Sequence, residues 1–278
     1  MKSRIYATIL LLSLLTIFSC TNSSENNSDN KSSTEVDTTS VSGVTTSSAS
    51  EKKSDARTQG LKSKVKTMSE SLYVVVSGKN KLASKNVFKY DENGNRLELL
   101  NYNPDGKINS TIKSTYGTDG KIASEKTILS NGNTDINSTF KTDEKGNPIE
   151  KEDVRPGGNI LFNYRYVNKF GPKGELLEQA SYNGGGNLTF TYEFKYDENG
   201  NKTEWIQKGS DGSVTGRRVY TYDKNNLLIS ETDYDKDGSV KATYEYKYLI
   251  DKKGNWVSQS KSEAGKIIEV RERDFEYF

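Results

Sequence analysis

From about residue 61 onward, apolar and polar residues alternate along the chain. Phe190, Tyr192, Phe194 and Tyr196 take one parity, and Thr191, Glu193 and Lys195 take the other. Tyr244, Tyr246 and Tyr248 repeat this around Glu245 and Lys247, and Phe88 with Tyr90, Tyr164 with Tyr166 and Tyr220 with Tyr222 are shorter instances. A period of two built from aromatic and β-branched residues marks a strand buried on one face. No segment beyond residue 60 sustains a 3.6-residue period, so the expected fold class is all-β.

Turn residues punctuate these strands at fixed intervals. One series runs Gly94, Gly120, Gly146, Gly174, Gly200, Asn226, Gly254, in steps of 26 to 28 residues. A second, Gly106, Gly132, Gly158, Gly185, Gly212, Gly238, Gly265, interleaves with it at 11 to 14 residues. Seven units of 26 to 28 residues, each with two turns, predict tandem antiparallel β-hairpins. Asn-Gly and Asp-Gly pairs occupy many of the turns, and both residues of such a pair tolerate positive φ. Turns with Lys before Gly (Lys145, Lys173, Lys253) predict a longer loop with one left-handed glycine and a bulge. Ile108, Ile160, Leu188, Val214, Val240 and Ile267 follow second-series turns and read as a layer of core positions at strand starts.

The spacing leaves strands of roughly nine residues, about 30 Å long. Seven units give about fourteen strands, with a cap around Leu61 to Val76. A sheet that wide curls or closes, so the expectation is a solenoid-like or barrel-like sheet with its aromatic face inside. Tyr90-Asp91-Glu92-Asn93-Gly94-Asn95 recurs identically as Tyr196 to Asn201, and Tyr222-Asp223-Lys224-Asn225-Asn226 is a variant. This motif resembles the YD repeat of the Rhs/teneurin class, and more closely that of small bacterial lipoproteins carrying such repeats. The resemblance covers about residues 61 to 278 and implies spiralling β-sheet. Thr142 and Phe170 depart from it where Tyr would stand. No toxin-like C-terminal domain follows, so only the fold is carried over.

The first sixty residues follow other rules. Lys2 and Arg4, an apolar run from Ile5 to Phe18, and Ser19-Cys20 have the layout of a secretory signal peptide. Ile17-Phe18-Ser19-Cys20 resembles a bacterial lipobox, which implies cleavage after residue 19 and lipidation of Cys20, the one cysteine in the chain. Two acyl chains anchor a protein stably where one is marginal. Residues 20–60 then read as a Ser-, Thr- and Asn-rich tether, too poor in apolar surface to offset its ordering entropy and roughly 35 Å in r.m.s. span. The domains expected are therefore a lipoprotein signal peptide at 1–19, the lipidated tether at 20–60 and a β-repeat domain at 61–278.

Composition excludes several chemistries. The chain has no histidine, which removes imidazole-based nucleophilic catalysis, proton shuttles and metal sites. The formal net charge is +2 with acidic and basic residues interspersed, and no basic block exists to track a phosphate backbone, so no nucleic-acid partner is expected. Asp233-Tyr234-Asp235-Lys236-Asp237-Gly238 opens like an EF-hand calcium loop, but Tyr244 stands where the bidentate Glu is needed, and it reads as a hairpin turn. No metal site, cofactor or catalytic residue is assigned. Trp205 and Trp256 stand outside the tyrosine stripes and are the candidate ligand-binding residues. The expectation is a non-catalytic interaction or structural module of the bacterial cell envelope. It would be lipid-anchored, by resemblance at the outer membrane, with an unidentified protein or glycan partner. The alternative is a carbohydrate- or cell-wall-binding lipoprotein.

Overall fold

In a computed structural model the structure describes residues 54–157 and 163–278. The signal peptide, Cys20, most of the tether, Gly158 and Ile160 lie outside the described residues. Residues 54–60, assigned by sequence to the tether, are instead part of the fold. Ser54 caps a one-turn helix, α1 (Asp55–Thr58), and Ala56 is buried.

Sixteen strands follow, all antiparallel, each paired with its neighbours in chain order, and the last pairs with the first to close a barrel. They are β1 (Val65–Val76), β2 (Lys79–Tyr90), β3 (Arg96–Tyr102), β4 (Ile108–Tyr116), β5 (Ile122–Leu129), β6 (Thr134–Thr142), β7 (Pro148–Val154), β8 (Tyr164–Phe170), β9 (Leu176–Asn183), β10 (Leu188–Tyr196), β11 (Lys202–Gly209), β12 (Val214–Tyr222), β13 (Leu228–Tyr234), β14 (Val240–Ile250), β15 (Trp256–Glu263) and β16 (Lys266–Tyr277). Of the two forms expected, the barrel is the one adopted. The segment Leu61 to Val76 is not a cap. Most of it is β1, which pairs with β2 on one side and β16 on the other and supplies the closing ladder.

The turns differ from the sequence expectation. In the first series the loop is closed by two backbone bonds, such as Asp91 N–H to the Asn95 carbonyl (3.0 Å) and Gly94 N–H to the Asp91 carbonyl (2.9 Å). Only the glycine, or Asn226, has positive φ. The Asn-Gly and Asp-Gly turns are therefore the longer bulged kind expected only for the Lys-Gly turns. Two-residue turns with both residues left-handed occur at Ser77-Gly78 and Ala264-Gly265. In the second series Gly186, not Gly185, takes the left-handed position. The leading aspartate organises the loop: Asp91 accepts from the Asn93 and Asn95 N–H groups and from the Asn95 side chain. Asp143, Asp197 and Asp251 each hold the backbone N–H of an Asn four residues on in the same way.

A second bulge follows each first-series turn. Opposite Lys195 lies Glu204, but opposite Tyr196 lies Lys202, so Thr203 is the extra residue. The same shift recurs at Leu97, Ala123, Ile149, Leu177, Ile229 and Val257. Bulges at barrel rims bend the strand and reverse which residues face inward. Ile108, Val214, Val240 and Ile267, expected to be core, are 39%, 40%, 60% and 51% exposed. They sit at the other rim, where the ladder ends and nothing packs over them.

One apolar cluster is fully buried: Ala56, Leu61, Val65, Met68 and Tyr90, flanked by Phe88, Phe275 and Tyr277. It forms where residues 54–64 lie across the rim. That strap is held at one end by Ala56 N–H to the Gly94 carbonyl (2.9 Å) and at the other by both backbone groups of Lys62 on the Asn255 side chain (2.6 and 3.0 Å).

Candidate functional site

The lumen of the barrel is the candidate site. Directly opposed residues share a face, so each face can be traced around the sheet. Phe194 opposes Trp205, which opposes Arg218, which opposes Asp233; Tyr220 opposes Glu231, which opposes Tyr244. This aromatic face is the inner one, since Tyr90, Tyr192, Tyr220 and Glu231 on it are at most 9% exposed. On the opposite face, Lys89–Glu98, Lys141–Glu150, Lys169–Glu178 and Lys195–Glu204 form cross-strand ion pairs, with lysine side chains 51% to 74% exposed. Such exposed pairs add little stability, but they fix the outside as a water-facing surface. Ser230, Thr232 and Tyr234 of β13 and Ser258, Ser260 and Ser262 of β15 continue it with hydroxyls. A bilayer-spanning barrel needs an outward apolar band about 25 Å tall; this outer face carries ion pairs and hydroxyls along its strands, with exposed Leu97, Ile149, Leu177 and Ile229 at the bulges of one rim.

With strands about 4.8 Å apart and tilted by about 40°, a circular sixteen-strand barrel is about 32 Å across, wide enough to leave an aqueous channel. The wall is mixed: Tyr90, Tyr192, Tyr220 and Glu231 are buried, while Tyr166, Asn168, Gln179, Phe194, Trp205, Tyr222, Tyr246 and Tyr248 are half-buried. Several tyrosine hydroxyls are spent on the wall itself. Tyr116, Tyr196 and Tyr222 donate to the carbonyls of Arg96, Leu176 and Lys202, at 2.8 to 2.9 Å. Where Phe170 replaces the tyrosine, Asn168 takes over the equivalent bond to Pro148. Burial raises the pKa of Tyr116, Tyr166, Tyr196, Tyr222 and Tyr246, and pushes Tyr248 up to about 12.

Charged groups stand among the rings, nearly all in pairs. Glu70 receives Arg273 at 2.8 Å and Arg271 at 3.2 Å. Arg96 meets Glu125 at 2.5 Å, and Lys151 meets Asp153 at 3.0 Å. Arg218 binds Asp233 and also Glu231, which takes Lys261 at 3.4 Å and the Tyr246 hydroxyl at 3.0 Å. With cations on its oxygens, neither Glu231 nor Asp233 is a free general acid or base. Lys202 differs. Its ammonium lies 5.4 Å from the Phe194 ring centroid and 5.2 Å from that of Tyr220, and it has no ion pair among the described residues. Burial pushes its pKa down to about 8; Arg218 adds to this and Glu231 opposes it.

Both predicted tryptophans face the lumen, four strands apart, and the structure does not bring them together. Neither is separate from the tyrosines: Trp205 packs on Tyr192 (5.5 Å between centroids) and Trp256 on Tyr248 (6.2 Å). The Trp205 ring lies over Gly216, where an added Cβ would come to 3.2 Å, and under Arg218. Trp256 is covered by the Arg273 guanidinium at 3.5 Å. Of the two, Trp205 belongs to the sector around Lys202. The aspartates of the EF-hand-like run diverge: Asp233 faces the lumen on Arg218, while Asp237 caps Ser239 in the turn. No cluster of three metal-ligating side chains occurs among the described residues. A depression of about 430 Å³ on the rim, lined by Asp143, Asn147, Phe170 and Pro172, gathers no convergent polar groups beyond the turn's own.

Fold and site together define a closed antiparallel barrel with cross-strand ion pairs on its outer face and aromatic rings and further ion pairs on its inner wall. No family model and no curated protein matches the chain. Among solved structures it is similar to a porin-like protein from Bacteroides uniformis, at 11% sequence identity and a TM-score of 0.55, over 76% of this chain and 98% of that one. A porin-like protein from Bacteroides vulgatus is 13% identical with a TM-score of 0.44, over 77% and 98% of the two chains. The first likeness is one of fold.

Proposed function

We propose that this chain is a lipid-anchored, non-catalytic binding module of the bacterial cell envelope, built from tandem YD-like hairpin units, that takes its ligand in the barrel lumen. The carrying observation is the contrast between the two faces. Water-facing ion pairs run along the outside, and aromatic rings, many of them half-buried, stand with paired charges on the inner wall of the closed barrel. A wall of this kind has concave apolar surface with a few polar groups to orient a ligand, as binding sites do. Cys20 holds the module at the membrane, at the outer membrane because Thr21 after it resembles the residue at that place in outer-membrane-directed lipoproteins, and the tether lets the barrel stand clear of the headgroups. Cross-linking of the tagged full-length protein in its native cells, with protein and cell-wall fractions analysed separately, tests this. Recovery of a bound envelope component supports the reading. A turnover activity of the purified protein refutes it.

One observation favours a particular ligand class, the glycans of the alternative reading. From β8 to β16 the inner wall mixes ring faces with amides and charges, which suits sugar rings with an apolar C–H face and hydroxyls around the ring edge better than an acyl chain. Replacing Trp205 with Ala should weaken glycan binding while the barrel survives; unchanged binding would refute the role of that ring.

A further inference from the structure

We infer that the β10–β13 sector of the lumen selects a glycan carrying a carboxylate, with Lys202 as the residue that receives the acid group. The inference rests on the glycan reading above and names the charge of the sugar. It starts from one position of the hairpin unit. The residue two places after each first-series turn glycine, or after Asn226, faces the lumen because of the bulge that follows it. That position holds Arg96, Ile122, Pro148, Leu176, Lys202, Leu228 and Trp256. Five of the seven are apolar, as packing against the neighbouring ring requires. Arg96 is answered by Glu125. Lys202 is answered by no carboxylate among the described residues, and its ammonium is flanked by two rings instead.

The groups facing Lys202 from each packed element are Tyr196 of β10, Arg218, Tyr220 and Tyr222 of β12, and Glu231 of β13. Glu231 and Asp233 are engaged by Arg218 and by Lys261 of β15, so from β10 to β15 these three lumen-facing cations meet two carboxylates and Lys202 is the one left without an ion pair among the described residues. A cation–π contact offsets part of the cost of burying an ammonium but accepts none of its three N–H bonds. A carboxylate placed between Phe194 and Tyr220 would accept one of them as a charge-assisted bond. The sugar ring bearing it would lie against Trp205 and Phe194 through its C–H face, with Gln207 on the same inward row of β11.

The experiment is isothermal titration of the full chain with a galacturonic-acid tetramer, its methyl ester, the neutral galactose tetramer and laurate. At pH 7 the acidic tetramer should bind about tenfold more tightly than the ester or the neutral sugar, the scale of one charged hydrogen bond. Lys202→Met should remove that preference, so that the acidic tetramer, its ester and the neutral sugar bind with equal affinity. Lys202→Arg should retain it, and should lack the decline in preference expected of the parent protein as pH rises through 8. Equal affinity for acidic and neutral sugars overturns the inference and leaves the glycan reading standing. Binding of none of the sugars overturns both. Laurate binding more tightly than the acidic tetramer overturns the ligand class.

Discussion

Lys202 should make the barrel less stable at neutral pH than it would be without the charge. Its pKa falls from 10.5 to about 8 on folding, and at about 1.4 kcal/mol per unit the charged form costs about 3 kcal/mol. Lys202→Met keeps the stem and removes the ammonium. It forfeits the two ring contacts, each about 0.5–1 kcal/mol, so a net gain of about 1–2 kcal/mol is expected at pH 7. For a domain of this size that is a rise in Tm of about 2–8 °C. The pH dependence follows from linkage. Below pH 8 lysine is protonated in both states and the folded state bears the whole cost. Between pH 8 and 10.5 the folded protein releases its proton first, so the parent gains on the variant and the gap closes. Thermal melts of both proteins at pH 7.0 and 9.5 measure this. A variant less stable than the parent at pH 7, or a gap unchanged at pH 9.5, would refute the reasoning.

Other expectations concern the turns and the tyrosines. Gly120→Ala meets open space and should cost only the left-handed backbone, about 1 kcal/mol. Gly94→Ala should cost more by urea melts, because its Cβ would come to 2.7 Å from Ser54 Oγ and 3.1 Å from Ala56 Cβ; equal costs would show that the strap does not press on that turn. Asn255→Ala removes the partner of both Lys62 backbone groups and of the Tyr277 hydroxyl. It should destabilise the protein by about 2–3 kcal/mol and raise amide exchange across residues 54–62 before the strands. Because burial raises the pKa of many inner tyrosines, the unfolded chain ionises them first. Stability should therefore fall steeply as pH passes 10, and a tyrosinate absorbance that instead rises near pH 10 in the folded protein would contradict it.

Much of the wall was legible in the sequence. The Tyr244, Tyr246, Tyr248 stripe and the turn glycines place strands and connections correctly, because alternation and left-handed glycine are local properties. Two things were not local. Strand β1 carries no Asn-Gly signal before β2, and its partnership with β16 joins residues some 200 apart, so the count stopped at fourteen. The bulges hid Lys202. Counting back by twos from Trp205 puts Thr203 in the lumen and Lys202 outside, and only the extra residue opposite Tyr196 reverses them. The same reversal turns Trp256 inward, whereas Trp205 is inward by regular opposition to Phe194, and so both join the tyrosines they were expected to stand apart from. The lysine could have been found by aligning the units on their turn glycines, where it stands in a mostly apolar column.

The strap bears on how such a chain reaches its native state. Fifteen of the sixteen ladders join strands adjacent in sequence and can form in succession by local zippering, with little loop-closure entropy at each step. The β1–β16 seam alone must bring distant ends together, and until it does, two long edge strands are open to other chains. Residues 54–62 run from the β2–β3 turn to the β14–β15 turn and so span that seam. Their docking sites exist side by side only after the ring has closed. The strap is thus a latch thrown last, and its release in a folding or ageing sample would report an open ring before any strand had been lost.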